Sequence, residues 1–396
     1  MKPAEVMVCF GTRPEVIKLA PVIARLQADS RLDVTTVTTG QHREMLEQML
    51  HTFAIAPDVD LGLMRARQGV AALTVRAVAA LEAIMVERQP DAVLVQGDTT
   101  TAFSAALAAF YARVPVGHVE AGLRTGDRYA PFPEEMNRRL VTPLASWHFC
   151  PTAVSADNLA REGVSPASVE VTGNTVVDSL QLVLRLLSDG SACAAVPPRR
   201  ARHRVLVTLH RRETQGEPQR RLCRMLARVA SRGDVEVVFP IHLSPAVHSS
   251  VRGELRGLDN VHLLPPVDYV SFVELMRTSD LVLTDSGGVQ EEAPSLGVPV
   301  LVMRDATDRP EGVSAGCAVL AGTDPGRVSF HVNRMLDDPV ALRRAAGVQN
   351  PYGDGRAAER IVDSLARDLD GRSERRTGRF RRREDAAPVW EQEIPA

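Results

Sequence analysis

Lysine is almost missing from this chain. Of its 47 basic residues only Lys2 and Lys18 are lysine, which leaves 45 arginines. Lys18 is therefore either a chance survivor or a position that needs a compact ammonium, as beside a phosphate. Cysteine is sparse: Cys9, Cys150, Cys193, Cys223 and Cys317 are scattered, with no C-x-x-C. That pattern argues for a reducing cytosol and against structural zinc or a disulfide frame. No His-x-x-His or clustered Cys/His spacing occurs, so no metal is expected. The G-x-G-x-x-G and P-loop patterns are absent too, and no cofactor is indicated. No apolar run approaches the ~20 residues of a membrane span. The apolar segment at 6–10 runs straight into Gly11-Thr12-Arg13-Pro14, which is too short for a signal peptide. A formal charge of -2 gives no reason to expect nucleic acid. The chain is expected to be a cytoplasmic protein with neither nucleic acid nor membrane as partner.

What is present is α/β patterning. At 396 residues the chain is too long for one ordinary core, so two domains are expected. Apolar runs at 6–10, 34–38, 92–96, 114–119, 148–150 and 169–171 read as strands. Helical spacing at 16–27, 68–88 and 101–111 separates several of them, with 11–15 as a turn. A second alternation has strands at 205–207, 235–240, 261–264, 281–283 and 298–302. Strand, crossover helix, strand implies parallel, doubly wound sheets. The chain thus reads as two Rossmann-like domains facing across a cleft. The first spans 1–187 and the second, carrying the nucleotide, 205–370, with the last helix able to pack back on the first. Residues 188–204 hold small residues, a Pro pair and charge, and read as a hinge. Residues 371–396 are charged without apolar period and read as a disordered tail.

The most informative stretch is Thr284-Asp285-Ser286-Gly287-Gly288-Val289-Gln290-Glu291-Glu292. A buried strand ends, small residues free the backbone, and a helix begins. Unpaired N–H groups and the positive dipole end suit a phosphate. Glu292 lies one turn below Gly288, well placed for two vicinal hydroxyls such as those of a ribose. The plain alternative is a strand-to-helix turn with a solvated Glu pair.

In open parallel sheets ligands bind beyond the C-terminal strand ends. Those positions here carry Arg13 and Lys18, Asp98, Glu120, His210 to Glu213, Asp285 and Ser286, and a run from Arg304 to Glu311. Pro131-Phe132-Pro133 leads into a helix start at Glu134 and Glu135. Glu134–Arg138 and Glu135–Arg139 are spaced as i,i+4 pairs, the ordinary signature of surface salt bridges. Asp98, Glu120 and Glu134 are able to meet in one pocket, where crowding and burial raise a carboxylate towards neutral pH. Arg13, Lys18, His210 and the Ser286-Gly287-Gly288 backbone would hold a diphosphate opposite them. Cations at one end and carboxylates at the other suit a nucleotide sugar whose ring undergoes proton chemistry.

With these residues assembled, the chain resembles the non-hydrolysing UDP-N-acetylglucosamine 2-epimerases, over residues 6 to 358. The resemblance rests on Gly11-Thr12-Arg13-Pro14-Glu15 with Lys18 and Pro21, on Thr39-Gly40-Gln41-His42-Arg43-Glu44-Met45, and on Gln96-Gly97-Asp98-Thr99-Thr100. It continues through 118–137, His210-Arg211-Arg212-Glu213, 284–302, Asp308-Arg309-Pro310-Glu311 and Asn350-Pro351-Tyr352-Gly353-Asp354-Gly355. It implies a GT-B fold and interconversion of UDP-GlcNAc and UDP-ManNAc, by anti elimination of UDP to 2-acetamidoglucal and re-addition. It matches Asp98, Glu120, Glu134 and His210 to catalytic positions. It matches Arg13, Lys18, Arg138, Ser286, Gly287, Gly288, Glu292 and Arg309 to the substrate site. Gln41, His42, Gln68, Arg211 and His242 match an allosteric UDP-GlcNAc site of some bacterial members. A homodimer is common in the family. Ser244, Thr214 and Asp308 depart from its usual residues. Alternatives that share the pocket are a hydrolysing epimerase releasing ManNAc, a 2-epimerase of another 2-acetamido UDP-sugar, and a GT-B glycosyltransferase.

Overall fold

The computed structural model describes residues 2–40, 43–65, 68–209, 216–241 and 251–384, without the side chains of 43–45 and 371–384. Two parallel sheets carry the architecture. The first uses β1 (Ala4–Phe10), β2 (Leu32–Thr38), β3 (Val59–Asp60), β4 (Ala92–Gln96), β5 (Val116–Val119), β6 (Trp147–Cys150) and β7 (Val169–Val171) in the order β3-β2-β1-β4-β5-β6-β7. The second uses β8 (His203–Thr208), β9 (Val235–Pro240), β10 (Val261–Leu264), β11 (Leu281–Thr284), β12 (Val300–Val302) and β13 (Ala318–Leu320) in the order β10-β9-β8-β11-β12-β13. Central strands covered by helices on both faces must be apolar throughout. Accordingly all of Val6 to Phe10 and all five residues of β4 are buried.

The strand order reverses between β1 and β4 in one sheet and between β8 and β11 in the other. At each reversal, loops diverge and leave a crevice at the carboxyl ends. Gly11 and Gly97 follow the first pair, and Asp285 follows β11, so both crevices collect the polar residues singled out from sequence.

Two short edge strands, β3 and β13, are additions to the strands read from sequence. Two and three residues are too few to show a period. The first helix also starts earlier than its spacing suggests, at Arg13 rather than 16. The cause is local: the Glu15 carboxylate reaches back to the N–H groups of Gly11 and Thr12 at 3.0 and 2.8 Å, and Pro14 fits the first turn.

The two sheets are bound by shared packing. Helix Thr175–Ser188 and helix Tyr269–Arg277 contribute Val176, Leu180, Tyr269 and Val273 to one apolar cluster that includes both Val8 and Val282. Between Ser188 and His203 the chain carries no regular element. This connection is tied to the second sheet: buried Arg204 donates to Pro197 O at 2.9 Å and to Glu236 at 2.6 Å. The last helix, Ala357–Glu384, returns to the first sheet. Asp178 accepts the N–H groups of Ala357 and Ala358, and Trp147 Nε1 donates to Asp368 at 2.6 Å. Among the described side chains its buried face runs from Ala357 to Leu369. The backbone remains helical beyond that point, where the run of Arg and Glu has good helix propensity. Residues 385–396 lie outside the described residues. Among the described residues no helix is long and apolar enough to cross a membrane.

Candidate active site

Glu120 ends β5 and sits at φ +65°, a left-handed backbone that non-glycine residues seldom adopt. Strain of this kind persists only where the surroundings hold it. Here Lys18 and Gln96 bond to the two carboxylate oxygens, and Asn174 Nδ2 donates to Oε1 at 3.1 Å. Burial alone would raise the Glu120 pKa. Lys18 and Arg309 outweigh it, and the group is held below its ordinary value, ionised.

Asp98 follows β4 by two residues and behaves in the opposite way. Burial pushes it up, the Arg138 guanidinium pulls it down, and Glu120 and Glu134 push it up again, to about 6. Arg138 Nη2 lies 2.7 Å from Asp98 Oδ2, and the Asp98 side chain keeps 27% exposure. The carboxyl is thus accessible to a ligand and half-protonated near pH 6, with the ionised form in the majority at neutral pH. The backbone beneath it is fixed twice. Asn137 Nδ2 donates to Asp98 O at 2.9 Å, and the fully buried His118 bonds Gly97 O at 2.8 Å.

Glu134 and Glu135 divide their roles. Glu135 is completely buried, accepts Arg139 Nε at 2.9 Å and the Thr125 N–H at 3.1 Å, and builds the local structure. Glu134 stays half-buried on the same helix, Glu134–Val141, and its charge reaches Asp98. The sequence spacing pairs Arg138 with Glu134. In the structure Arg138 reaches Asp98 instead, because one helix face meets the β4 loop.

The second sheet supplies a helix N-terminus and Arg309. Ser286 stands at the N-cap position of helix Gly287–Glu292, and its side chain makes no capping bond there. Arg309 is stacked against this turn and donates through Nε to Glu291 Oε1 at 2.8 Å, with Nη1 2.6 Å from Asp308. A Cβ on Gly287 would lie 2.6 Å from Arg309 Cζ, while one on Gly288 would meet nothing within 4 Å. Gly287→Ala is therefore expected to cost about 1–3 kcal/mol by overpacking. Gly288→Ala, in a helix with open space, should be neutral or gain about 0.5–1 kcal/mol. Urea unfolding of both variants checks this; equal stabilities would refute the packing account. Glu292 accepts the Tyr269 hydroxyl at 2.5 Å, and burial above all lifts its pKa to about 7. Arg13 begins the first helix across from them. Burial lowers its pKa, against the opposing charges of Glu292, Tyr269 and Asp268.

Of the residues chosen from sequence, the structure brings Asp98, Glu120, Glu134, Arg138 and Lys18 together, with Arg13 on the same lobe facing Glu292 and with Ser286, Gly287, Glu292 and Arg309 on the other side. Lys18 stands among the carboxylates, on Glu120, rather than apart from them. Gln68 bonds Arg76 and Met64 at the approach to helix Val70–Arg88. His210, Gln41, His42, Arg211 and His242 lie outside the described residues. Glu291 went unread. The Glu291–Glu292 pair has the look of a solvated helix face, yet both are buried. Glu291 Oε2 lies 3.2 Å from Lys18 Nζ, which joins the two sheets by an ion pair. A second tie runs from Thr152 Oγ1 to Glu311 Oε1 at 2.6 Å.

Known proteins are similar to this chain over most of its length. The model of a family described as UDP-N-acetylglucosamine 2-epimerase matches residues 24–366. A UDP-N-acetylglucosamine 2-epimerase of Yersinia pestis is 48% identical over 368 residues, covering 91% of this chain and 98% of that protein. One from Bacillus subtilis is 45% identical, covering 92% and 96%. Among solved structures, the UDP-GlcNAc 2-epimerase of Neisseria meningitidis bound to UDP-GlcNAc is similar at TM-score 0.84 and 41% identity, over 92% of this chain and 100% of that one. The Methanocaldococcus jannaschii enzyme in complex with UDP-GlcNAc and UDP is similar at 0.76 and 31% identity, over 91% and 99%.

Proposed function

The chain belongs to the UDP-N-acetylglucosamine 2-epimerase family, and from that premise we propose that it interconverts UDP-GlcNAc and UDP-ManNAc without net hydrolysis. The observation that carries this reading is the meeting of Asp98, Glu120 and Glu134, with Asp98 poised near pH 6 and Glu120 held ionised. One carboxylate takes the C2 proton. The C–H pair becomes the C1–C2 double bond, and the C1–O pair leaves with UDP. The bound products are 2-acetamidoglucal and UDP. For return, a UDP oxygen attacks C1 while a carboxylic acid on the other face delivers a proton to C2. Atoms and electrons balance without a cofactor. Two acid–base groups on opposite faces are what inversion at C2 demands.

In this reading Arg13, Lys18, Arg138, Ser286, Gly287, Gly288 and Arg309 surround the diphosphate and sugar, and Glu292 takes the ribose. The open space above Gly288 supports close approach of a ligand to that backbone. His210 completes the catalytic set. Gln41, His42, Gln68, Arg211 and His242 would form an allosteric UDP-GlcNAc site. Residues 1–187 and 205–370 are the two lobes, joined through 188–204 and held by the returning last helix. The setting is the cytoplasm, and the partner is a second copy of the chain. Val75, Val86, Phe110 and Tyr111, exposed on helices Val70–Arg88 and Thr100–Tyr111, support self-association. Sedimentation should give a dimer, and a monomer at micromolar concentration would exclude it.

Incubation with UDP-GlcNAc in D2O, followed by proton NMR, tests the reaction. Intact UDP-ManNAc carrying deuterium at C2 is the expected product. Free ManNAc would establish a hydrolysing epimerase instead, and no reaction without an acceptor a transferase.

A further inference from the structure

Five charged side chains form one alternating chain across the cleft. Glu120 meets Lys18, and Lys18 Nζ lies 3.2 Å from Glu291 Oε2. Glu291 Oε1 accepts Arg309 Nε at 2.8 Å, and Arg309 lies 2.6 Å from Asp308. The first two belong to the lobe of β1 and β5 and the last three to the lobe of β11 and β12. Glu291 is the central member and is 1% exposed. An ionised carboxylate at that depth is sustained by paired cations.

The centre of this chain is also braced mechanically. Asn350 Nδ2 donates to Glu291 O at 2.8 Å and to Ser295 Oγ at 2.5 Å. Two residues on, Tyr352 O accepts the Asn174 N–H at 2.7 Å, and Asn174 is the residue that donates to Glu120. The Tyr352 hydroxyl donates to Arg309 O at 3.1 Å. One segment, 350–352, therefore fixes the backbone of Glu291, the backbone of Arg309 and the support of Glu120 together.

A diphosphate entering this cleft would compete for the same cations. Lys18 has a flexible stem and a point charge, so its position is set by whichever anions surround it. With Glu291 beside it, the ammonium is drawn to the carboxylate side. Without Glu291, the strongest remaining pull would be shared between Glu120 and the diphosphate. We propose that Glu291 is a positioning residue that keeps Lys18 on Glu120, and so reserves that ammonium for the proton-transfer half of the site rather than for the nucleotide. This rests on the epimerase reading above.

The test is Glu291→Gln, which keeps shape and removes charge, with UDP affinity by calorimetry and epimerisation by NMR. The expected result is a split. Turnover and C2 deuterium exchange fall about 10- to 100-fold as Lys18 and Glu120 lose register. UDP binds as tightly as before, or about 3- to 10-fold more tightly, because a competing anion is gone. A purely structural role would weaken both together, and that result, or an unchanged kcat, overturns the proposal. If Glu291→Gln does not fold, Glu291→Asp retains the charge on a shorter arm that cannot span both cations. It should lose kcat with UDP affinity unchanged, and wild-type kcat would overturn the proposal equally. A wild-type protein that makes no UDP-ManNAc would instead refute the epimerase reading, leaving UDP affinity in the variant to decide this one.

Discussion

Asp98→Asn is expected to lower kcat for epimerisation by about 10²- to 10⁴-fold, the usual worth of a positioned acid–base group. UDP affinity should change little, because the amide preserves shape and retains a hydrogen bond to Arg138. The physical reason is the carboxyl's balance of forces. Burial, Glu120 and Glu134 favour the neutral acid, Arg138 favours the anion, and the outcome near pH 6 leaves both forms populated in the physiological range. If ionised Asp98 is the form that removes a proton, kcat/KM should rise with pH through about 6 and flatten above it. Asn cannot titrate, so the residual activity of the variant should lose this limb. Exchange of the C2 proton with D2O should fall in parallel with turnover. An Asp98→Asn enzyme that exchanges at the wild-type rate would remove Asp98 from proton transfer. One that loses UDP affinity to the same degree would assign it to binding.

Arg138 also bears on what sequence is able to reveal. Its spacing from Glu134 is that of a surface pair, and nothing local in the chain indicates that it crosses to Asp98. Tertiary contact decides between two equally good carboxylates, and spacing along a helix carries no information about the neighbouring loop. Asp98 and Glu120 were legible for a different reason. A charged residue directly after a buried parallel strand has few places to go except the crevice, and both lie there. Lys18 is legible through rarity alone, and its protein partners Glu120 and Glu291 are not marked by anything local in the chain. Glu291 was illegible because a buried acid and a solvated acid on a six-residue helix look alike until a cation from the other lobe is placed beside it. The same holds for β3 and β13. Their pairing is set by the strand already laid down next to them, not by their own two or three residues.

Glu120→Gln should damage the molecule as well as the reaction. Breaking a buried ion pair by removing one partner costs about 3–5 kcal/mol when the other charge is stranded. Lys18 retains Glu291, so the loss here should fall below that range, at about 1–3 kcal/mol. Activity should fall about 10²- to 10⁴-fold. The two effects are separable by a second substitution. Lys18→Met together with Glu120→Gln removes both charges and should recover part of the stability lost in the single variant, seen as a higher urea midpoint. It should not recover catalysis, since no carboxylate returns to the end of β5. If the double variant instead regained turnover along with stability, Glu120 would be a structural partner of Lys18, and the strained backbone at φ +65° would serve the fold rather than the chemistry. If stability were not regained, the coupling between Lys18 and Glu120 would be weaker than their burial implies, and Glu291 would be the partner that holds the lysine.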